Sequence, residues 1–337
     1  MTDPTVRTLG SELTILDVVQ ETADAVSIVF DTQIPYTPGQ FLTLRVPSER
    51  TEFVARCYSL ASSPVTDIHP KVTVKRTRDG YASNWLCDNV KPGSVLRVLP
   101  PSGTFGPASF EHDLVLFAGG SGVTPVISIL KSALESSDSR VAVFYANRDR
   151  ESIIFDAELT GLQERYRGRI VVEHWLESER GIPTDDDLRQ FATAYTNRHA
   201  YICGPGPFMA AVESALQDLG VGHVHVERFA SLTGDPFTLA PAAAPSGRAS
   251  TVSVELDGEQ HSLTWPAEST LIDVLLNAGI DAPYSCREGE CGSCACTLKS
   301  GTVEPGDGTA LTQNDLDDGY ILACQATPTS EHLEVEF

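Results

Sequence analysis

Cys286-Arg287-Glu288-Gly289-Glu290-Cys291-Gly292-Ser293-Cys294, with Cys324 downstream, reads C-x4-C-x2-C-x29-C. That is the spacing with which four thiolates hold a 2Fe-2S cluster. Each iron takes two thiolates in tetrahedral geometry. One tight loop bearing three of them and a distant strand bearing the fourth can therefore close around both irons. Gly289 and Gly292 suit such a loop, because a residue without Cβ turns through positive φ and lets backbone N–H groups approach sulfur. A structural zinc site or buried free thiols are the alternatives. Zinc more often takes paired C-x2-C knuckles, whereas here one loop carries three ligands. The expected metal ligands are Cys286, Cys291, Cys294 and Cys324. Cys296 is expected as a small buried apolar residue on the following strand.

Outward from this loop the chain changes rhythm. Residues 250–337 carry a hairpin pattern, 252–256 and 261–265 across Asp257-Gly258, and one amphipathic helix over 269–278. Residues 233–249, containing Ala240-Pro241-Ala242-Ala243-Ala244-Pro245-Ser246-Gly247, read as a semi-extended, exposed linker. From 111 to 232 strand and helix alternate: strands at 114–118, 141–145, 170–176 and 200–203, helices at 124–134, 155–166, 185–195 and 207–219. Such alternation predicts an α/β parallel sheet with helices on both faces. Residues 1–110 hold short alternating runs such as Phe41-Leu42-Thr43-Leu44-Arg45-Val46, separated by Pro38-Gly39, Pro92-Gly93 and Pro100-Pro101-Ser102-Gly103. They predict an antiparallel β-barrel. The expected architecture is multidomain: barrel over 1–110, parallel-sheet domain over 111–232, linker over 233–249 and an α+β cluster domain over 250–337.

Ala118-Gly119-Gly120-Ser121-Gly122-Val123-Thr124-Pro125 follows the first parallel strand and opens a helix. Glycines there admit phosphates to the free N–H groups of a helix N-terminus. Thr124 is expected as N-cap and Pro125 as the first helical residue. The run is not the G-x-G-x-x-G fingerprint, and a glycine turn is often only a turn. A second one, Cys203-Gly204-Pro205-Gly206-Pro207-Phe208-Met209, closes a later strand. Ligands of open α/β sheets bind beyond strand carboxyl ends, so the pair points to a nucleotide. Earlier in the chain, Arg56-Cys57-Tyr58-Ser59-Leu60 ends a barrel strand with a guanidinium for phosphate and a phenol on alternate positions. Gly80-Tyr81-Ala82-Ser83-Asn84-Trp85 offers a helix start with Ser83 as cap, another anion seat.

In this order the motifs resemble the ferredoxin-NADP reductase superfamily, in which a flavin barrel precedes a pyridine-nucleotide domain. With a C-terminal plant-type ferredoxin domain of β-grasp fold, the whole chain resembles the reductases of multicomponent oxygenases. The likeness is strongest to the reductase components of Rieske-type 3-ketosteroid 9α-hydroxylases. It is carried by Phe41-Leu42-Thr43-Leu44-Arg45-Val46-Pro47-Ser48-Glu49-Arg50-Thr51, by residues 55–60, 72–77, 79–88 and 203–209, and by Tyr284-Ser285-Cys286-Arg287-Glu288-Gly289. Reductases serving other oxygenases, such as a phenylacetyl-CoA epoxidase, share these motifs. The resemblance implies that Arg56, Tyr58 and Ser59 hold an isoalloxazine and its phosphate. It implies further that Val74, Lys75, Gly80 and Ser83 seat a pyrophosphate, hence FAD; related phthalate-type reductases use FMN, which is the alternative. Gly120, Thr124, Cys203 and Gly204 are implied along the nicotinamide path, with Cys203 beside the reactive carbon. Phe229, in Glu227-Arg228-Phe229, is implied near the flavin, a core aromatic being its other reading. The residues expected at the reacting atoms are thus Cys203, Tyr58, Ser59 and Phe229.

NADH gives up two electrons as hydride, whereas a 2Fe-2S cluster takes one at a time, so the flavin between them must split the pair. The implied activity is an NADH-dependent oxidoreductase that passes electrons through FAD and the cluster to a Rieske-type terminal oxygenase of steroid catabolism. A redox sensor that binds a partner without turning over is the competing reading from another class. In Tyr145-Ala146-Asn147-Arg148-Asp149-Arg150-Glu151, Arg148 can meet a 2′-phosphate but Asp149 and Glu151 oppose one, which favours NADH over NADPH.

Composition is consistent with this. The 337 residues are 41% hydrophobic and 21% charged, ordinary for a globular chain. Four of the eight cysteines have cluster spacing, and Cys57, Cys87 and Cys203 lie far apart, so no disulfide framework is expected and a reducing cytoplasm fits. Met1-Thr2-Asp3-Pro4-Thr5 lacks a basic-then-apolar leader pattern, and apolar runs such as 114–118 fall short of a bilayer span. A net charge of -22 argues against nucleic acid and anionic membranes as partners. Residues 250–337 hold two Lys+Arg against sixteen Asp+Glu, while residues 1–110 hold ten against eleven. An acidic excess around a redox centre suits a basic partner patch; a solvated face kept for solubility is the plainer reading.

Overall fold

The computed structural model describes residues 7–241 and 249–337. Period-two alternation turns the first third into six antiparallel strands: β1 (Ser11–Thr22), β2 (Ala25–Phe30), β3 (Phe41–Ser48), β4 (Glu52–Ser59), β5 (Lys71–Lys75) and β6 (Val95–Val98), with helix α1 (Tyr81–Asn89) between β5 and β6. Their order is β4-β3-β6-β1-β2-β5, and a bridge from Leu60 to Val72 draws the two edge strands together into a barrel. Leu42, Leu44 and Val46 of β3 fill the interior with Ile28, Phe30 and Val72. Thr43, between them in sequence, takes the outer face.

The middle of the chain is strand and helix in turn: β7 (Leu114–Gly119), α2 (Val123–Ser136), β8 (Val141–Asn147), α3 (Asp156–Arg165), β9 (Ile170–Leu176), α4 (Asp185–Ala192), β10 (His199–Cys203), α5 (Gly206–Asp218) and β11 (Val224–Glu227). All pairings are parallel, in the order β9-β8-β7-β10-β11. Strands β7 and β8 are buried along their whole length, as a sheet covered on both faces requires. One apolar cluster holds α2 and α3 residues, the other Leu188, Phe191, Met209 and Val212 of α4 and α5. The winding reverses between β7 and β10, which opens a crevice at their carboxyl ends.

The last module comprises β12 (Ala249–Leu256), β13 (Glu259–Pro266), α6 (Leu271–Asn277), β14 (Ala295–Ser300), α7 (Gln313–Asp317), β15 (Tyr320–Leu322) and β16 (His332–Glu336). The order is β13-β12-β16-β14-β15, with β12 and β16 parallel at the centre. Asp257 (φ 52) and Gly258 (φ 80) make the predicted two-residue hairpin turn. Trp265 is fully buried under α6, its indole N–H donating to the Ser269 carbonyl at 2.8 Å.

The exposed linker expected over 233–249 is corrected for its described part. Thr238–Leu239 pair antiparallel with Arg7–Thr8, Phe237 and Leu239 are buried, and Phe53 meets Phe237 edge to face at 6.0 Å. Two apolar side chains in a Pro/Ala-rich run have the outer wall of the barrel to cover, and the gain from burying them outweighs the freedom of the segment. The rest of that expectation, residues 242–248, lies outside the described residues. The segment seals barrel to last module, since Ala55, Leu99, Phe237, Leu239 and Tyr284 share one apolar cluster. Among the described residues no helix is long and apolar enough to cross a membrane.

Candidate flavin, nucleotide and cluster sites

The cysteine loop is irregular because its backbone has to curl: Arg287, Gly289 and Gly292 have φ of 59, 76 and 68. A Cβ on Gly289 would lie 2.6 Å from the Asp307 carbonyl oxygen, so only glycine passes there. Cys286, Cys294 and Cys324 are buried and Cys291 half-buried. Their sulfurs converge. The neighbouring thiols of Cys291 and Cys324 draw Cys286 below its usual value, and the same coupling holds Cys291 and Cys324 above theirs. The Glu288 N–H and the Gln325 side-chain amide each reach a ligand sulfur, Cys286 and Cys324, at 3.4 Å. Ser293 Oγ is buried beside the Cys291 thiol. An all-sulfur donor set with N–H groups aimed at it fits an iron–sulfur cluster.

Eight of the predicted residues, Arg56, Tyr58, Ser59, Lys75, Gly80, Ser83, Thr124 and Phe229, line one cavity of about 360 Å³. The Arg56 guanidinium is held by the carbonyls of Ala55 at 2.7 Å and Leu232 at 3.0 Å, which fixes its direction. Burial pushes the Tyr58 phenol up, so it stays a neutral donor. Val74 departs from expectation. It pairs with Val26 and its side chain is in the barrel core; its neighbours Thr73 and Lys75 line the cavity instead. A strand shows alternate residues to opposite faces, and the expectation fell one residue off the wet face. Ser83 does not cap α1. Gly80 is the N-cap, after a turn through positive φ at Asp79, and Ser83 Oγ accepts from the Thr77 N–H at 3.0 Å.

The two glycine turns interlock. A Cβ on Gly122 would lie 2.1 Å from the Cys203 carbonyl oxygen, and one on Gly204 would lie 3.0 Å from Gly119 Cα. This brings Gly120, Thr124, Cys203 and Gly204 to the crevice between β7 and β10. Thr124 is not the N-cap, nor Pro125 the first helical residue. A 3-10 turn at Gly120–Gly122 runs straight into α2, Gly122 caps it, and Thr124 Oγ1 donates to the Ser121 carbonyl at 3.0 Å. Burial, with the Glu227 charge beside it, pushes the Cys203 thiol well above its usual value, so the thiol is neutral. Glu227 pairs with Cys203 across β10 and β11, and burial raises its carboxyl to about 7. The sequence reading gave Glu227 no role; its signal is a lone carboxylate ending the strand Val224–Glu227.

Phe229 is 51% exposed, so it is not a core aromatic. It lines the cavity of Arg56 and Tyr58 and also a second one of about 390 Å³, which Cys286 and Cys291 line as well. Cys57 and Ser59 line both as well. The candidate flavin cavity and the cysteine loop therefore share one wall.

Three domain families match the chain in this order: an oxidoreductase FAD-binding domain over 18–106, an oxidoreductase NAD-binding domain over 116–214 and a 2Fe-2S iron-sulfur cluster binding domain over 254–329. Barrel, parallel sheet and thiolate loop thus define an oxidoreductase with FAD, NAD and 2Fe-2S modules. The solved structure of phthalate dioxygenase reductase has the same fold, with a TM-score of 0.59 at 23% identity over 97% of this chain and 98% of that one. The 3-ketosteroid-9-alpha-monooxygenase, ferredoxin reductase component, of Rhodococcus rhodochrous is 56% identical over 96% of both chains. One component of the 1,2-phenylacetyl-CoA epoxidase of Escherichia coli is 30% identical over 96% of this chain and 97% of its own. The chain belongs to the family of ferredoxin reductase components of 3-ketosteroid-9-alpha-monooxygenases.

Proposed function

We propose that this chain accepts hydride from NADH and delivers single electrons through its cluster to the Rieske-type terminal oxygenase of a 3-ketosteroid 9α-hydroxylase. The observation that carries the reading is the wall of Cys57, Ser59 and Phe229 shared by the flavin cavity and the cavity over Cys286 and Cys291. Bound FAD supplies the conversion of an electron pair into single electrons. The residues do the rest. Arg56 and Lys75 neutralise the flavin's phosphates, Tyr58 packs along its ring and Ser59 offers a hydroxyl at the wall. Gly80 and the start of α1 leave room for a pyrophosphate, with Ser83 behind it. Gly120, Gly204 and Thr124 admit the nicotinamide, the neutral Cys203 thiol stands beside it, and Phe229 screens the flavin until the nicotinamide arrives. Glu227, near half-protonated at neutral pH, holds a proton at the carboxyl oxygens facing the wall.

Preference for NADH is supported by Arg148, which turns to Asp24 at 3.2 Å, and by the carboxylates of Asp149 and Glu151 that oppose a 2′-phosphate. Asp149 beside it caps the following turn through Ser152. The steroid assignment is supported by 56% identity to the named steroid reductase against 30% to the epoxidase component. Thiolate cluster ligands and eight free cysteines support a reducing, cytoplasmic setting. The acidic cluster module supports a basic oxygenase patch, with one refinement: Glu288 accepts from Thr233 and Gly234 N–H groups and is part of the seam, whereas Glu290 meets only Thr309 and remains at the rim.

Reconstitution tests the reading. The holoprotein with NADH should reduce cytochrome c and should support 9α-hydroxylation with a 3-ketosteroid oxygenase but not turnover of a phenylacetyl-CoA epoxidase. The reverse specificity would overturn the steroid assignment, and no turnover with any acceptor would leave the sensor reading standing.

A further inference from the structure

The seam between barrel and cluster module is mostly apolar, with a short buried polar chain through it. Thr43, on the outer face of β3, is fully buried; its Oγ1 lies 2.7 Å from Oγ of Ser285, also buried, and 3.3 Å from Sγ of Cys57 on β4. Ala55, Leu99, Phe237 and Leu239 belong to the apolar cluster on either side. The two ends of the chain of hydroxyls and thiol are informative. Cys57 stands between Arg56 and Tyr58 of the flavin pocket, and Ser285 immediately precedes the cluster ligand Cys286. One residue before Ser285, the Tyr284 carbonyl accepts from Ser102 Oγ at 3.0 Å.

Apolar contacts are non-directional and tolerate sliding. A buried hydroxyl pair does not, because a slip strands two polar groups away from water. We propose that Thr43, with Ser285, is a positioning residue: this clasp fixes the cluster loop in one register on β3, the strand paired with the flavin-binding strand β4, and thereby sets the rate of electron passage from flavin to cluster. The proposal rests on the electron route given above. Oxidation of one NADH to NAD⁺ releases two electrons and a proton, and each electron leaves the cluster to one ferric cytochrome c.

The test uses the full chain loaded with FAD and cluster. Thr43→Val deletes the hydroxyl at nearly constant volume, Thr43→Ser restores it, and Ser285→Ala removes the partner from the other side. Stopped-flow absorbance follows flavin reduction by NADH and cluster reduction separately, with rates normalised to cluster content. Backbone hydrogen exchange over 282–287 in the oxidised protein gives a readout independent of turnover. In Thr43→Val, flavin reduction should be unchanged, cluster reduction should slow about tenfold, the order expected of a sub-ångström misplacement, and exchange should rise. Thr43→Ser should recover both. The double variant should be no worse than either single one, since both remove the same bond. Unchanged cluster reduction and exchange in Thr43→Val, a failure of Thr43→Ser to recover, or additive losses would each overturn the clasp. A wild-type cluster that NADH cannot reduce would instead overturn the electron route, and with it the clasp's part in it.

Discussion

Three residues of the cluster loop have positive φ, Arg287, Gly289 and Gly292, whereas the side chains of the flavin pocket stand largely on regular strand and helix, β4, β5 and α1. The loop holds its geometry in its backbone. The pocket holds its geometry in the side chains that three elements present to one space. Damage should therefore act differently in the two regions: the loop should be intolerant of small steric changes and the pocket of lost charge.

The largest effect should come from the ligand set itself. Cys324→Ser removes the thiolate that closes the loop from a distance, so cytochrome c reduction should fall to background while FAD stays bound and is still bleached by NADH. Retained oxygenase turnover without the cluster would break the comparison, because the two regions would then not be in series. Next comes the loop backbone. In Gly289→Ala the new methyl meets the Asp307 oxygen at 2.6 Å and Gly308 Cα at 2.7 Å, on top of an unfavourable φ. Strain and overpacking together cost about 2–5 kcal/mol, enough to block cluster loading. In Gly292→Ala the nearest atom is Ala310 Cβ at 3.7 Å, so only the φ cost of about 1–2 kcal/mol applies. Visible absorbance of the as-purified variants separates the two, and equal loading would show that the loop yields more than its geometry suggests.

For the pocket, Arg56→Ala loses a charge-assisted contact worth about 1.5–3 kcal/mol and should purify flavin-depleted with an intact cluster spectrum. Its guanidinium also bonds the Leu232 carbonyl at 3.0 Å, so a shift of the segment 230–232 should accompany the loss. Full occupancy at limiting FAD would assign the arginine to the seam alone.

This contrast also explains what was legible in the chain. Thiolate chemistry fixes ligand spacing, so a 2Fe-2S domain was legible from Cys286, Cys291, Cys294 and Cys324, and the alternation 41–46 and the strand–helix rhythm of 111–232 pointed to barrel and parallel sheet. The pocket depends on strand phase. Assigning Val74 rather than Thr73 missed by one residue, which in a strand is the opposite face. Ser83 and Thr124 looked like caps because their residue types favour caps, but glycines and a 3-10 turn set both helix starts. Phe237 and Leu239 were lost in a Pro/Ala-rich stretch whose composition suggested exposure. Thr43 and Ser285 are 242 positions apart, and no local pattern could join them.

The smallest effect concerns titration, which the pocket's sheet should show at both ends of β11. At its amino end His112, His199 and His223 stack at 4.6 and 4.3 Å, and partial burial followed by the charges of His223 and His112 holds His199 below its ordinary 6.5. Burial and His223 lower His225 as well. A base whose folded value is depressed binds protons more readily when unfolded, so this stabilisation is present above pH 6.5 and is lost as pH falls below it. At the carboxyl end the sign is opposite. Burial raises Glu227 from 4.5 to about 7, so its contribution is present below pH 4.5 and is lost as pH rises through about 7. Between pH 4.5 and 6.5 the two therefore oppose one another, Glu227 losing stability and the histidines gaining it as pH rises, and on the alkaline side neither gives a slope. Urea midpoints from pH 5 to 9, followed by the fluorescence of Trp175 in the parallel sheet, measure it. Glu227→Gln should leave the histidines' rise in stability with pH unopposed below neutrality, His199→Gln should leave more of Glu227's fall, and neither should change the profile on the alkaline side. A variant that leaves the profile below neutrality unchanged would show that its residue does not titrate in this window.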